Sequence, residues 1–181
     1  MTDVFVAGPI DFRDVDTIVD YRVRIYTLLD KHGFSPVDQY VDVFEQLATV
    51  NSDRTNPLQA LDFEKLQSEP FLDAITAAIE DTSATAVLES PEIVPEHTPD
   101  SIVSSIVERD LELVEQADVF LAYLPEPSCG TMAELLHARR HGIPTVVVSE
   151  PAPHFVQYYA DEIHPTIDDA VATLDAFDSG S

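Results

Sequence analysis

Two acidic residues carry the strongest chemical signal in this sequence, Asp110 and Glu134. In the helical stretch after Pro99, a turn of about 100° per residue puts Val103, Ile106, Val107, Val114 and Ala117 on one apolar stripe. Glu108, Arg109, Glu112, Glu115 and Gln116 lie opposite, and Asp110 falls inside the stripe. A carboxylate in an apolar face needs a partner or a raised pKa. Asp110 is therefore either a structural acid, capping a loop or reaching solvent where the helix leaves the sheet, or a functional one. Glu134 also has two readings. Thr131-x-x-Glu134 fits a capping box, and the helix dipole favours an acid in a first turn. Alternatively, helices flanking one strand bring Asp110 and Glu134 face to face across its end. Two carboxylates about a sugar's width apart are the equipment for glycosidic bond cleavage, one as nucleophile and one as acid/base.

The turn Pro125-Glu126-Pro127-Ser128-Cys129-Gly130-Thr131 sits between the two acids, where a strand should give way to a helix. Free N–H groups and the dipole at a helix start suit an anion, and Ser128 and Thr131 add hydroxyls. Gly8-Pro9-Ile10-Asp11-Phe12-Arg13 follows the first strand and should reach the same edge. It is not a G-x-G-x-x-G, so a dinucleotide fingerprint is absent. Arg13 is a phosphate contact or a solvated surface cation; Phe12 and Tyr40 are base-stacking or core aromatics. His137 and His141 stand one turn apart beside Glu134, but H-x-x-x-H lacks the helical Glu of H-E-x-x-H, and no metal is expected. Cys129 has no His tied to it by a motif and reads as a packed thiol. Ser128 lacks the G-x-S-x-G context of a hydrolase elbow.

The elements that must hold these residues alternate. Strands are expected at 4–7, 34–37, 119–124 and 145–149. A helix after the first loop carries Val15, Ile18, Val19, Arg22, Ile25, Tyr26 and Leu29 on one side and stops at Gly33. Further helices follow Pro99, run over 131–141 to Gly142, and close the chain over 166–174. This alternation predicts one α/β domain over 1–181, a doubly wound, mostly parallel Rossmann/flavodoxin-like sheet flanked by helices. Residues 38–99 interrupt it and are expected to be an insertion, with helical pieces at 57–67 and 70–81, an added strand at 84–88, and an irregular connection through Pro91, Pro95 and Pro99.

Composition sets the outer limits. A chain of 181 residues with 45% hydrophobic residues can bury a proper core, which excludes wholesale disorder. Acids outnumber bases 34 to 9, for a net charge of −25. Nucleic acid is a poor partner for such a surface, and salt adaptation is the expectation that best explains it. The single cysteine excludes an internal disulfide and a thiolate-rich metal site. No apolar run approaches the roughly 18 residues of a membrane helix, and no signal peptide is evident, so a soluble cytoplasmic protein is expected.

Taken together, these residues resemble the nucleoside 2-deoxyribosyltransferase superfamily, which includes 2′-deoxynucleoside 5′-monophosphate N-glycosidases and CMP hydrolases. The resemblance covers residues 4–13 and, more fully, 108–149. Asp110-Leu111, Gln116-Ala117-Asp118, Pro127-Ser128-x-Gly130, Glu134-Leu135 and Ala138 fall at the family's spacing, with 18 residues from Asp110 to Ser128 and 6 more to Glu134. G-T-x-x-E alone also occurs in lysine-decarboxylase-like phosphoribohydrolases, but the P-G-G that precedes it there is missing here. The resemblance implies that Glu134 attacks C1′ and Asp110 assists departure of the base. It implies that Ser128, Gly130 and Thr131, with Gly8, Ile10 and Arg13 of the first loop, face a 5′-phosphate. Transferases acting on free nucleosides carry an acid where Ser128 stands. Leu136 and His137 depart from the usual Gly and Tyr or Arg. The implied activity is hydrolysis of the N-glycosidic bond of a (deoxy)nucleoside 5′-monophosphate by a homodimer without cofactor. The alternatives are base exchange on deoxyribose and a non-catalytic nucleotide-binding domain.

Overall fold

Strand alternation decides the layering. In β1 (Asp3–Ala7), Val4 and Val6 enter one hydrophobic cluster and Phe5 and Ala7 another, and all four are buried. A strand buried on both faces belongs inside a sheet covered by helices on each side. The computed structural model describes residues 1–9, 15–37 and 100–177. The elements expected within 38–99, namely the helical pieces 57–67 and 70–81 and the strand 84–88, lie outside those residues, so the proposed insertion does too.

In chain order, β1 is followed by α1 (Val15–His32), β2 (Ser35–Val37), α2 (Asp100–Gln116), β3 (Val119–Tyr123), α3 (Cys129–His141), β4 (Thr145–Val148), α4 (His154–Tyr159), β5 (Glu162–His164) and α5 (Ile167–Thr173). A 3-10 turn over Leu174–Ala176 closes the described chain. The five strands pair in the order β2-β1-β3-β4-β5, every pair parallel. This is the doubly wound arrangement expected, with its topological switch point between β1 and β3. The strand β5 and the helix α4 were not anticipated. Glu162-Ile163-His164 alternates polar, apolar and polar over three residues, too short a pattern to read, and it is a strand because the edge of β4 offers it a ladder.

One face carries α1 and α5, whose Tyr21, Val23, Ile25, Tyr26, Leu29, Ile167, Ala170 and Val171 pack with Val4, Val6, Val119, Leu121, Val146 and Val148. The other carries α2, α3 and α4, through Val114, Ala117, Leu135, Ala138 and Val156 against Phe5, Ala7, Phe120, Ala122 and Val147. The buried arc of α1 is wider than the predicted stripe, since Tyr21 and Val23 are buried too, Tyr21 against Gly8 and Tyr123. Local signals set the ends. Gly33 (φ +81°) and Gly142 (φ +74°) close α1 and α3 in the left-handed conformation that glycine adopts without strain. Pro36 lacks a donor and sits in β2, which among the described residues is an edge strand, where that loss is tolerated.

Candidate active site at the carboxyl edge of the sheet

Ligands of open α/β sheets bind outside the carboxyl ends of the strands at the switch point. Here that point lies between Gly8-Pro9, after β1, and the turn after β3. Gly8 is held by close packing. A Cβ on it would meet the hydroxyl of Tyr21 at 2.6 Å and its ring carbons at 2.7 Å. The Tyr21 hydroxyl donates to the Pro9 carbonyl at 3.4 Å, and its ring packs against Tyr123 at the end of β3 with centroids 4.9 Å apart. Arg22 is buried at 2% exposure, and its Nη1 donates to the Val6 carbonyl at 3.1 Å. Adjacent residues of α1 thus anchor the end of β1 and the start of its loop. Ile10, Phe12 and Arg13, expected to continue that loop, and Tyr40 lie outside the described residues.

The second element at this edge is the start of α3. Its N-cap is Ser128, in an extended conformation, and the helix begins at Cys129. The Ser128 Oγ accepts from the Thr131 N–H at 3.5 Å and from the Thr131 hydroxyl at 3.2 Å. With the Thr131 hydroxyl donating, the Ser128 hydroxyl can itself donate to a further group. The first two helical N–H groups, of Cys129 and Gly130, have no acceptor within the helix. A Cβ at Gly130 would meet nothing within 4 Å, so the helix start is open on that side. Cys129, expected to be packed, is exposed, because the first helical position stands at this open rim.

This cap changes the meaning of Glu134. The capping-box reading needs Thr131 at the N-cap, and Thr131 is instead the buried third residue of the helix, folded back on Ser128. No acid lies in the first turn of α3. Glu134 therefore stands in the second turn, beyond reach of a capping role, and is half-buried. The expected apolar stripe of α2 also needs correction. Asp110 is half-buried, and Val107, one turn earlier on the expected stripe, is 50% exposed. Among the described side chains of α2, Val114 is buried, as is Ala117 just past the helix end.

Helix α2 packs against α3. Both helices end where β3 and β4 begin, so both run from the carboxyl edge to the amino edge. Near their ends, Glu115 Oε1 meets His137 Nε2 at 2.9 Å. From that contact, a rise of 1.5 Å per residue puts Asp110 about 7.5 Å and Glu134 about 4.5 Å nearer the carboxyl edge. Both acids thus stand on the carboxyl-edge side of that contact, on adjacent helices that flank β3. Ser149, at the carboxyl end of β4, is buried and its Oγ has no hydrogen-bond partner, which makes it a further polar group on this edge that sequence analysis did not single out.

The opposite edge is structural. Asp118 accepts from the Asp3 N–H at 2.8 Å and donates its own N–H to the Asp3 carbonyl at 2.8 Å, joining the starts of β1 and β3. Asp161 accepts from the N–H and hydroxyl of Thr145, both at 2.9 Å, and pairs with Arg139. Burial pushes its carboxyl up, but the Thr145 bonds and the Arg139 guanidinium outweigh that and hold it below the usual aspartate value. A shallow hollow lined by Arg139, Gly142, Pro144, Asp161, Glu162 and Phe177 also lies at this amino edge, away from the switch point.

No family model matches the chain, and neither does any curated protein. Among solved structures, the chain is similar to a 2-deoxyribosyltransferase from the psychrotolerant bacterium Bacillus psychrosaccharolyticus, with a TM-score of 0.53 over 93% of this chain and 89% of that one. The two share a fold. Their sequences are 12% identical, so the likeness speaks for the five-stranded architecture and its flanking helices. A CMP N-glycosidase from Clostridium botulinum is similar at a TM-score of 0.46 and 11% identity, over 97% of this chain and 99% of that one.

Proposed function

We propose that the protein hydrolyses the N-glycosidic bond of a (deoxy)nucleoside 5′-monophosphate. The observation that carries this reading is the Ser128 cap. It leaves a hydroxyl hydrogen and two helix N–H groups for an anion, and it removes the capping explanation for Glu134 on the same helix. Glu134 attacks C1′, the bond from C1′ to the base nitrogen breaks, and the departing base takes a proton from Asp110. Water then attacks C1′ of the glycosyl ester, gives a proton back to Asp110, and frees Glu134. Ser128, Gly130 and Thr131 seat the phosphate, with Gly8, Ile10 and Arg13 completing the seat from the first loop. A carboxylate in place of Ser128 would repel the phosphate that a hydroxyl attracts.

The working form is a salt-adapted homodimer, in keeping with the family resemblance and the charge of −25. The test is chromatography of reactions with ribo- and deoxynucleosides, each with and without 5′-phosphate. Release of free base from the monophosphates is expected, and no release from any substrate overturns the proposal. A second reading, base exchange on deoxyribose, is favoured by the fold shared with a 2-deoxyribosyltransferase. Adding a second free base separates the two, since exchange with little net hydrolysis identifies the transferase.

A further inference from the structure

His137 and His141 are one turn apart on α3, their ring centroids 4.2 Å from each other. Sequence alone offers them no third ligand, because Glu115 comes from the preceding helix. The fold brings it in: Glu115 Oε1 lies 2.9 Å from His137 Nε2 and 3.6 Å from His141 Nε2. One ligand atom from each of the three residues lies within 4.8 Å of the others. We propose that Glu115, His137 and His141 bind a divalent transition-metal ion of the zinc class, which clamps α2 to α3 on the amino-edge side of the two acids.

The decisive detail is the tautomer of His141. Its Nδ1 lies 2.9 Å from the His137 carbonyl oxygen. A carbonyl only accepts, so Nδ1 carries the proton, and the neutral ring presents its lone pair at Nε2. That lone pair faces a carboxylate oxygen, and two acceptors so placed repel unless a cation lies between them. The cation is either a proton on Nε2 or a metal ion. A backbone carbonyl bonded to the second ring nitrogen is also the arrangement that orients a metal-binding histidine. Ligand atoms about 2.0–2.1 Å from a tetrahedral zinc ion are separated by about 3.3–3.4 Å, and the 2.9 and 3.6 Å distances bracket that value. His137 is the most enclosed of the three, while His141 and Glu115 are half-exposed, so water can complete the coordination. Two imidazoles select zinc-class ions over magnesium or calcium, and the negative surface raises the local cation concentration. The ion takes no part in bond cleavage; it fixes the spacing of the helices that carry Asp110 and Glu134.

Calorimetric titration of the chelator-treated full chain with Zn2+ tests this, together with the visible absorption of bound Co2+. One ion per chain is expected, undisturbed by excess Mg2+. His141→Gln and Glu115→Gln should each weaken binding at least about tenfold and remove the Co2+ spectrum, while Glu112→Gln, an exposed acid on the same helix, should change neither. Absence of Zn2+ binding, or equal affinity in His141→Gln and Glu115→Gln and the unaltered chain, overturns the proposal.

Discussion

Serine and aspartate are both strong N-cap residues, so Ser128→Asp exchanges one cap for another at the start of α3. Stability should stay within about 0.5 kcal/mol. The new carboxylate would stand where a phosphate is proposed to sit, so KM for 5′-monophosphates should rise at least about tenfold, while reaction of unphosphorylated nucleosides holds. An equal loss on both substrate sets would assign Ser128 to the cap alone. Glu134 is the sharper case. Because it stands past the first turn and outside the cap, Glu134→Ala should still fold with a cooperative melt and lose base release on the order of a thousandfold or more. Near-normal turnover in that variant would take the nucleophile away from this residue. The chemical types at these positions were legible in the sequence; their competing structural roles were not. Ser128 and Thr131 are both good caps, and a three-residue difference in helix start decides whether Glu134 is a first-turn acid.

At the scale of elements, Asp161 ties the start of β4 to the end of α3 through Thr145 and Arg139. Its carboxyl is held below the ordinary aspartate value, so its contribution is present above that value, about 3.9, and is lost as pH falls through the lower folded value. Asp161→Asn should cost about 1–2 kcal/mol near pH 6, discounted for partial exposure. Denaturant melts of the two proteins should converge at low pH, and a gap that persists or grows there would contradict the assignment. Base release should be unaffected, since this knot is at the far edge. Elements with long signals were readable: the apolar runs of β1, β3 and β4, and α3 with its closing Gly142. The strand β5 was not, because a three-residue alternation is too short to signal a strand until β4 presents it with partners.

For the whole molecule, a net charge of −25 makes self-repulsion a standing cost of the folded state. Salt shortens the screening length from about 10 Å at 0.1 M to about 3 Å at 1 M. If screening recovers about 2 kcal/mol, the melting temperature should rise by about 4–8 °C over that range. A flat or falling curve would remove salt adaptation as the explanation for the acidity. Light scattering under the same conditions should give twice the 20.0 kDa mass of one chain; a monomer mass would remove the proposed dimer.

The sequence by itself determined the layers, the strand alternation and the kinds of side chain available at the carboxyl edge, because those follow from local periodicity and from residue chemistry. Only the tertiary structure decided the strand order, the start of α3 at Cys129, and the meeting of Glu115 with His137 and His141. The reason is physical. A distance between residues on different helices is set by how those helices pack across a shared strand, and no local pattern along the chain encodes it.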